Sequence, residues 1–136
     1  MVFADKEDNM NKYTMTKTFE FDDIDILDVI SSAIYNIGYW SRIDNNTEVW
    51  HKTSDSMDRD HTFEDVFFEI LKSGQAVQLI DVEDDEEIWD LTFEKLLKGM
   101  QKAIQYGDWD GDMDSMDGAV GDAIFQYALF DEIVFG

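Results

Sequence analysis

Residues 74–107 read GQAVQLIDVEDDEEIWDLTFEKLLKGMQKAIQYG, and this stretch decides the fold class. Ala76–Val82 is rich in apolar residues that suit a pleated surface, which predicts a strand. Glu83–Glu87 supplies a turn and Ile88–Leu91 a returning strand. Thr92 then stands where a helix N-cap belongs. Phe93, Leu96, Leu97, Met100 and Ile104 follow on one helical face, and Gly107 ends it. Strands and helices mix here without a strict strand–helix–strand rhythm. The expected class is therefore α+β, with about four helices packed on a small, mainly antiparallel sheet.

The flanks extend this pattern. Upstream, Thr62 caps a helix that turns Phe63, Val66, Phe67, Ile70 and Leu71 inward and stops near Ser73 and Gly74. Residues 53–61 are polar and read as a loop. Tyr39–Ile43 and Thr47–Lys52 read as short strands, joined at Asp44, Asn45 and Asn46 into a hairpin. Asp22 or Asp23 caps a helix over about residues 24–37, with Ile24, Leu27, Ile30, Ile34 and Ile37 at helical spacing and Gly38 as its stop. Before it, Tyr13, Met15, Phe19 and Phe21 alternate with Thr14, Thr16, Thr18 and Glu20, the period of a half-buried strand. Residues 1–11 are polar and expected to be loose, so residues 12–136 form one domain. Downstream, residues 107–116 make an acidic loop. Asp117 caps a last helix through about Asp131, with Val120, Ile124, Tyr127 and Ala128 inward.

Composition bounds the function. The chain has 136 residues, 44% hydrophobic and 14% aromatic, enough for a buried core. It has 32 acidic and 10 basic residues, a formal charge of −22. Anionic DNA, RNA and membrane would be repelled. A cationic partner is the sharper reading of such a charge; solubility, a halophilic origin and divalent-cation binding are the plainer ones. The chain has no cysteine, which excludes disulfides and thiolate chemistry, and no proline. No leader-like start and no apolar run long enough for a membrane span is seen, so a cytoplasmic location is expected.

Three acidic clusters stand out. Glu20, Asp22, Asp23, Asp25 and Asp28 form the first. Asp81, Glu83, Asp84, Asp85, Glu86, Glu87 and Asp90 form the second, around Trp89. The third runs through Asp108, Asp110, Asp112, Asp114, Asp117, Asp122, Asp131 and Glu132, around Trp109. The second and third contain no basic residue. Alternate carboxylates on an extended chain sit ~6.6–6.8 Å apart. On a helix, i and i+4 neighbours sit about 5–6 Å apart at Cβ. Both spacings are near that of a row of backbone phosphates, so such rows fit a groove lined by Lys and Arg. The candidate partner-binding residues are Asp81, Glu83, Asp84, Asp85, Glu86, Glu87, Asp108, Asp110, Asp112 and Asp114. The alternative is a solvated acidic surface.

Other chemistries find less. Counted from Asp108, the sixth and twelfth positions of a calcium loop are Met113 and Ala119 where Gly and Glu belong; counted from Asp110 they are Ser115 and Gly121. His51 and His61, with Asp58 and Asp60, are the other metal candidates, and loop histidines are more often solvated polar residues. No nucleophile elbow, phosphate loop or dinucleotide fingerprint occurs. A non-enzymatic protein needing no cofactor is expected.

Four segments carry a resemblance: Ile37-Gly38-Tyr39-Trp40; residues 70–74 running into Leu79-Ile80-Asp81; residues 91–99; and residues 122–136. They resemble a group of short, largely uncharacterised proteins of bacteriophages and other mobile elements, over about residues 22–136. The resemblance implies a mobile-element origin, and phages use small acidic proteins as nucleic-acid mimics against CRISPR nucleases and restriction enzymes. The resemblance itself implies no mechanism; taken with the acidic clusters, that origin leads to the expectation of a phage-encoded inhibitor in the host cytoplasm, such as an anti-CRISPR, whose partner is a basic nucleic-acid-binding host protein (a CRISPR effector or restriction enzyme). The alternative is a cation-binding or structural phage accessory protein. No residue-level role comes with the resemblance.

Overall fold

Side-chain caps set almost every helix start. In the computed structural model, which describes residues 10–136, Asp22 accepts from the Asp25 amide at 2.9 Å and Asp25 accepts back from the Asp22 amide at 3.1 Å. This reciprocal box opens α1, Asp23–Ile34. Thr62 and Asp65 repeat it at the start of α3, Phe63–Lys72. Thr47 caps α2, Glu48–Ser56, Thr92 caps α4, Phe93–Gln105, and Asp117 caps α5, Gly118–Phe130. Gly74 and Gly107, both at φ +84°, sit just past the ends of α3 and α4, where a left-handed residue lets the chain turn away.

The strands are β1 Ser41–Ile43, β2 Val77–Asp81 and β3 Asp84–Leu91, antiparallel in the order β1-β2-β3. The α+β class is as the sequence implies, with five α-helices rather than about four. α5 is the hub: Val120, Gly121, Ala123, Ile124, Phe125, Gln126, Tyr127 and Ala128 are all buried, as expected of a helix apolar all round. It packs against α4 at Gly99, where a Cβ would run into the Ile124 carbonyl oxygen, and against α1 at Gly121, where a Cβ would lie 2.6 Å from the Ala33 nitrogen.

Several local readings are corrected. Thr47–Lys52 is the start of a helix, not a strand; Thr47 Oγ1 accepts from the Trp50 amide at 3.1 Å, and only Trp50 of α2 is buried. No hairpin forms there, since β1 pairs with β2 through Arg42 and Ile80. The loop expected over 53–61 begins only after Ser56. Tyr13–Phe21 forms no strand and pairs with none; Tyr13 and Met15 are exposed, while the Phe21 ring stacks 5.4 Å from Trp109. The buried face of α1 is Ile26, Val29, Ile30 and Ala33, leaving Ile24 exposed, and the helix ends at Ile34, before Gly38. The turn of the second hairpin is Val82–Glu83 rather than Glu83–Glu87, because Asp81 Oδ1 accepts from the Glu83 amide at 2.8 Å and closes it early. Leu97 and Phe63 are more exposed than the helical spacing suggests. The expectation for residues 1–11 falls, up to residue 9, outside the described residues. Among the described residues no helix is long and apolar enough to cross a membrane.

Candidate functional site

β3 is an edge strand, and its first half carries the second acidic cluster. Ile80 pairs with Ile88 and Asp81 with Asp84, so Asp85, Glu86 and Glu87 have no opposite residues on β2 and bulge from the ladder. Asp84, Asp85, Glu86, Glu87 and Ile88 are all exposed. Two of the carboxylates shape the turn and bulge: Asp81 holds the Glu83 amide, and Asp84 Oδ1 accepts from the Glu86 amide at 3.0 Å. Glu87 accepts from the Trp89 indole at 3.1 Å, whose ring packs 5.0 Å from Phe130 and 5.8 Å from Trp40. Glu83, Asp85 and Glu86 accept no hydrogen bond on their carboxylates among the described residues. No ion pair reaches Asp81 or Glu83–Glu87 there either; Lys52, Lys72, Lys98 and Lys102 are matched instead to Glu48, Asp23, Glu69 and Asp131.

The third cluster is built differently. Asp110 accepts from the Asp112 amide at 2.9 Å and the Ser115 hydroxyl at 3.0 Å, which holds its carboxyl below the usual range. Asp112 accepts from the Asp114 amide at 2.9 Å. Asp108 accepts from the Tyr127 hydroxyl, and Asp117 from the Val120 amide at 2.9 Å. Trp109 is buried beneath and donates to the Asp112 carbonyl at 2.9 Å. These carboxylates fold the loop they belong to, and Gly111, at φ +83°, leaves room for the Phe19 ring. Asp114 points outward with no hydrogen bond to its carboxylate among the described residues. Asp81–Asp90 and Asp108–Asp114 lie on separate elements, and no hydrogen bond or ion pair joins the two groups among the described residues.

The metal candidates do not converge. His51 bonds Asn46 at 2.9 Å, while His61 bonds Ser54 at 2.9 Å and the Asp58 carbonyl. Among the described residues, no three His, Asp or Glu side chains come together as a metal site.

One polar constellation escaped the sequence reading. Asp122 accepts from the Tyr39 hydroxyl at 2.5 Å, the Trp40 indole at 2.9 Å and Gln126 Nε2 at 2.9 Å. Gln126 is buried, and its Oε1 accepts from the Val134 and Phe135 amides at 2.8 Å each. Phe135 then stacks on Trp40 at 5.1 Å. Burial first, and the bond to Asp122 second, push the Tyr39 phenol up to about 12. The signal available was a lone glutamine within the apolar run Ala123–Phe130. The network ties Val134 and Phe135 to the core through Gln126.

Compared with protein-family models, curated proteins and solved structures, the chain gives no significant match.

Proposed function

We propose that this chain is a non-enzymatic inhibitor that occupies the basic nucleic-acid channel of a host defence nuclease, as an acidic mimic of the nucleic acid. The observation that carries the reading is the Asp84–Glu87 run, lifted on a bulged edge strand and matched to no cation within the described residues. A carboxylate row carried on a strand has its backbone already ordered, so docking against Lys and Arg costs little backbone freedom and gains charge-assisted hydrogen bonds. A net charge of −22 steers it toward a basic cleft from a distance. The Asp108–Asp114 loop contributes field more than contact, because Asp108, Asp110 and Asp112 are already engaged in holding its shape.

The test is capture of the tagged protein's partner from host lysate at low salt. The eluted protein is then challenged with its own DNA or RNA. The reading expects one nucleic-acid-dependent effector, released by that nucleic acid and by high salt, and lost with the double variant Asp85→Lys/Glu86→Lys. These two positions are chosen because neither carboxylate holds the turn. Equal capture by the double variant overturns the proposal.

A further inference from the structure

The free edge of β3 offers main chain as well as charge. β2 lies between β1 and β3, so its residues alternate in which neighbour they bond. The Gln78 carbonyl accepts from the Asp44 amide at 2.9 Å, on the β1 side. Gln78 and Ile80 therefore direct their amides and carbonyls toward β1, and their partners on β3, Asp90 and Ile88, direct theirs away from the sheet. The outward Asp90 carbonyl confirms the geometry by accepting from Lys95 Nζ at 2.7 Å. The amide and carbonyl of Ile88 and the amide of Asp90 have no protein partner among the described residues. Ile88 is 47% exposed, and Lys95 covers the edge only at the Asp90 carbonyl.

Charge selects what can pair there. A second copy of β3 laid antiparallel about Ile88 would set Glu86 against Asp90, and a parallel copy would set each carboxylate beside itself. Both are unfavourable cross-strand pairs. The acidic edge thus refuses its own kind, a common safeguard for exposed strands, and accepts only a strand bearing cations. Lys95 occupies the C-terminal end of the edge, so the cations of an incoming strand belong at the Asp85–Glu87 end.

We infer that the partner contributes an extended, Lys- or Arg-rich segment that adds as a fourth strand along Ile88–Asp90, with its basic side chains over Asp85, Glu86 and Glu87. Main-chain bonds fix the register and the carboxylates supply the selectivity. This inference rests on the reading of the chain as a binder of basic proteins and deepens it.

The experiment uses two peptides as long as β3 and of equal charge, both alternating lysine with threonine, the second methylated on every backbone nitrogen. The methylated peptide has no main-chain N–H to donate along either of its edges. The full chain is expected to bind the unmethylated peptide about ten-fold more tightly, the worth of one or two main-chain hydrogen bonds. That peptide alone should slow amide exchange at Ile88 and Asp90. Ile88→Pro removes an outward amide and leaves the β2–β3 ladder and every carboxylate in place, so it should erase the preference while keeping the salt-sensitive binding common to both peptides. Equal affinity for the two peptides without amide protection overturns strand addition and leaves charge capture standing. Binding of neither peptide overturns both. The exchange measurement on the unaltered chain decides the matter even if Ile88→Pro is poorly folded.

Discussion

Gln126 does with one side chain what a strand would do with a ladder: it accepts two tail amides and donates to Asp122 and to the Phe135 carbonyl at 3.1 Å. Gln126→Ala should cost about 1–3 kcal/mol, since the groups it leaves behind lose their partners. Urea denaturation would show this, together with faster proteolysis after Phe130. A second residue-scale prediction concerns pH. The Tyr127 phenol is pushed up to about 12, first by donating to the Asp108 carboxylate and then by burial, from an ordinary 10.0. Between those values the unfolded chain releases the proton and the folded chain keeps it, so rising pH favours unfolding. The stabilisation is complete below pH 10 and fades toward 12. Thermal melts across that window should fall less steeply for Tyr127→Phe than for the parent, and a parallel slope would contradict the assignment. The sequence could show neither bond, because each joins residues far apart in the chain or separated by a loop. What it could show was the misfit of a glutamine among Ala123, Ile124, Phe125 and Tyr127.

At the scale of elements, the α4–α5 and α1–α5 contacts are set by glycines that helix propensity alone would disfavour. In an exposed helix Gly→Ala stabilises by about 1 kcal/mol. At Gly99 the new methyl would lie 2.8 Å from the Ala128 Cβ and also strike the Ile124 carbonyl, so Gly99→Ala should instead destabilise by about 1–3 kcal/mol. Gly121→Ala, against Ala33, should share that sign. A rise in melting temperature for either variant would mean that the helices can separate at no cost. The elements most legible in the sequence were those with both a cap and a long apolar face, such as Thr92 with Leu96 and Met100. Thr47–Lys52 was misread because six residues around Val49 and Trp50 cannot separate a period of 2 from one of 3.6. Tyr13–Phe21 was misread because alternation says nothing of whether a neighbouring strand exists to pair with it. The acidic hairpin was visible as composition, but not its division of labour, since the identity of a carboxylate does not reveal whether it turns inward to an amide.

For the whole molecule, self-repulsion opposes the compact state, with charge −22 spread over 136 residues. Raising sodium chloride from about 0.1 M to about 1 M shortens the screening length from roughly 10 Å to 3 Å, and the melting temperature should climb with it. Potassium should act as sodium does. Magnesium at matched ionic strength should add nothing further if the Asp108–Asp114 loop is a structural turn, whereas an additional rise would mark a cation site in it. The hub position of α5 has a further consequence for the newborn chain. α1 and α4 bury their apolar faces against α5, the last of the five helices to be synthesised, and Trp40 waits for Phe135 to complete its stack. At translation speeds of about 5–20 residues per second, these surfaces stay uncovered on the ribosome for several seconds. The early helices emerge as sticky half-sandwiches, and the acidic runs between them keep neighbouring nascent chains apart until the final helix arrives.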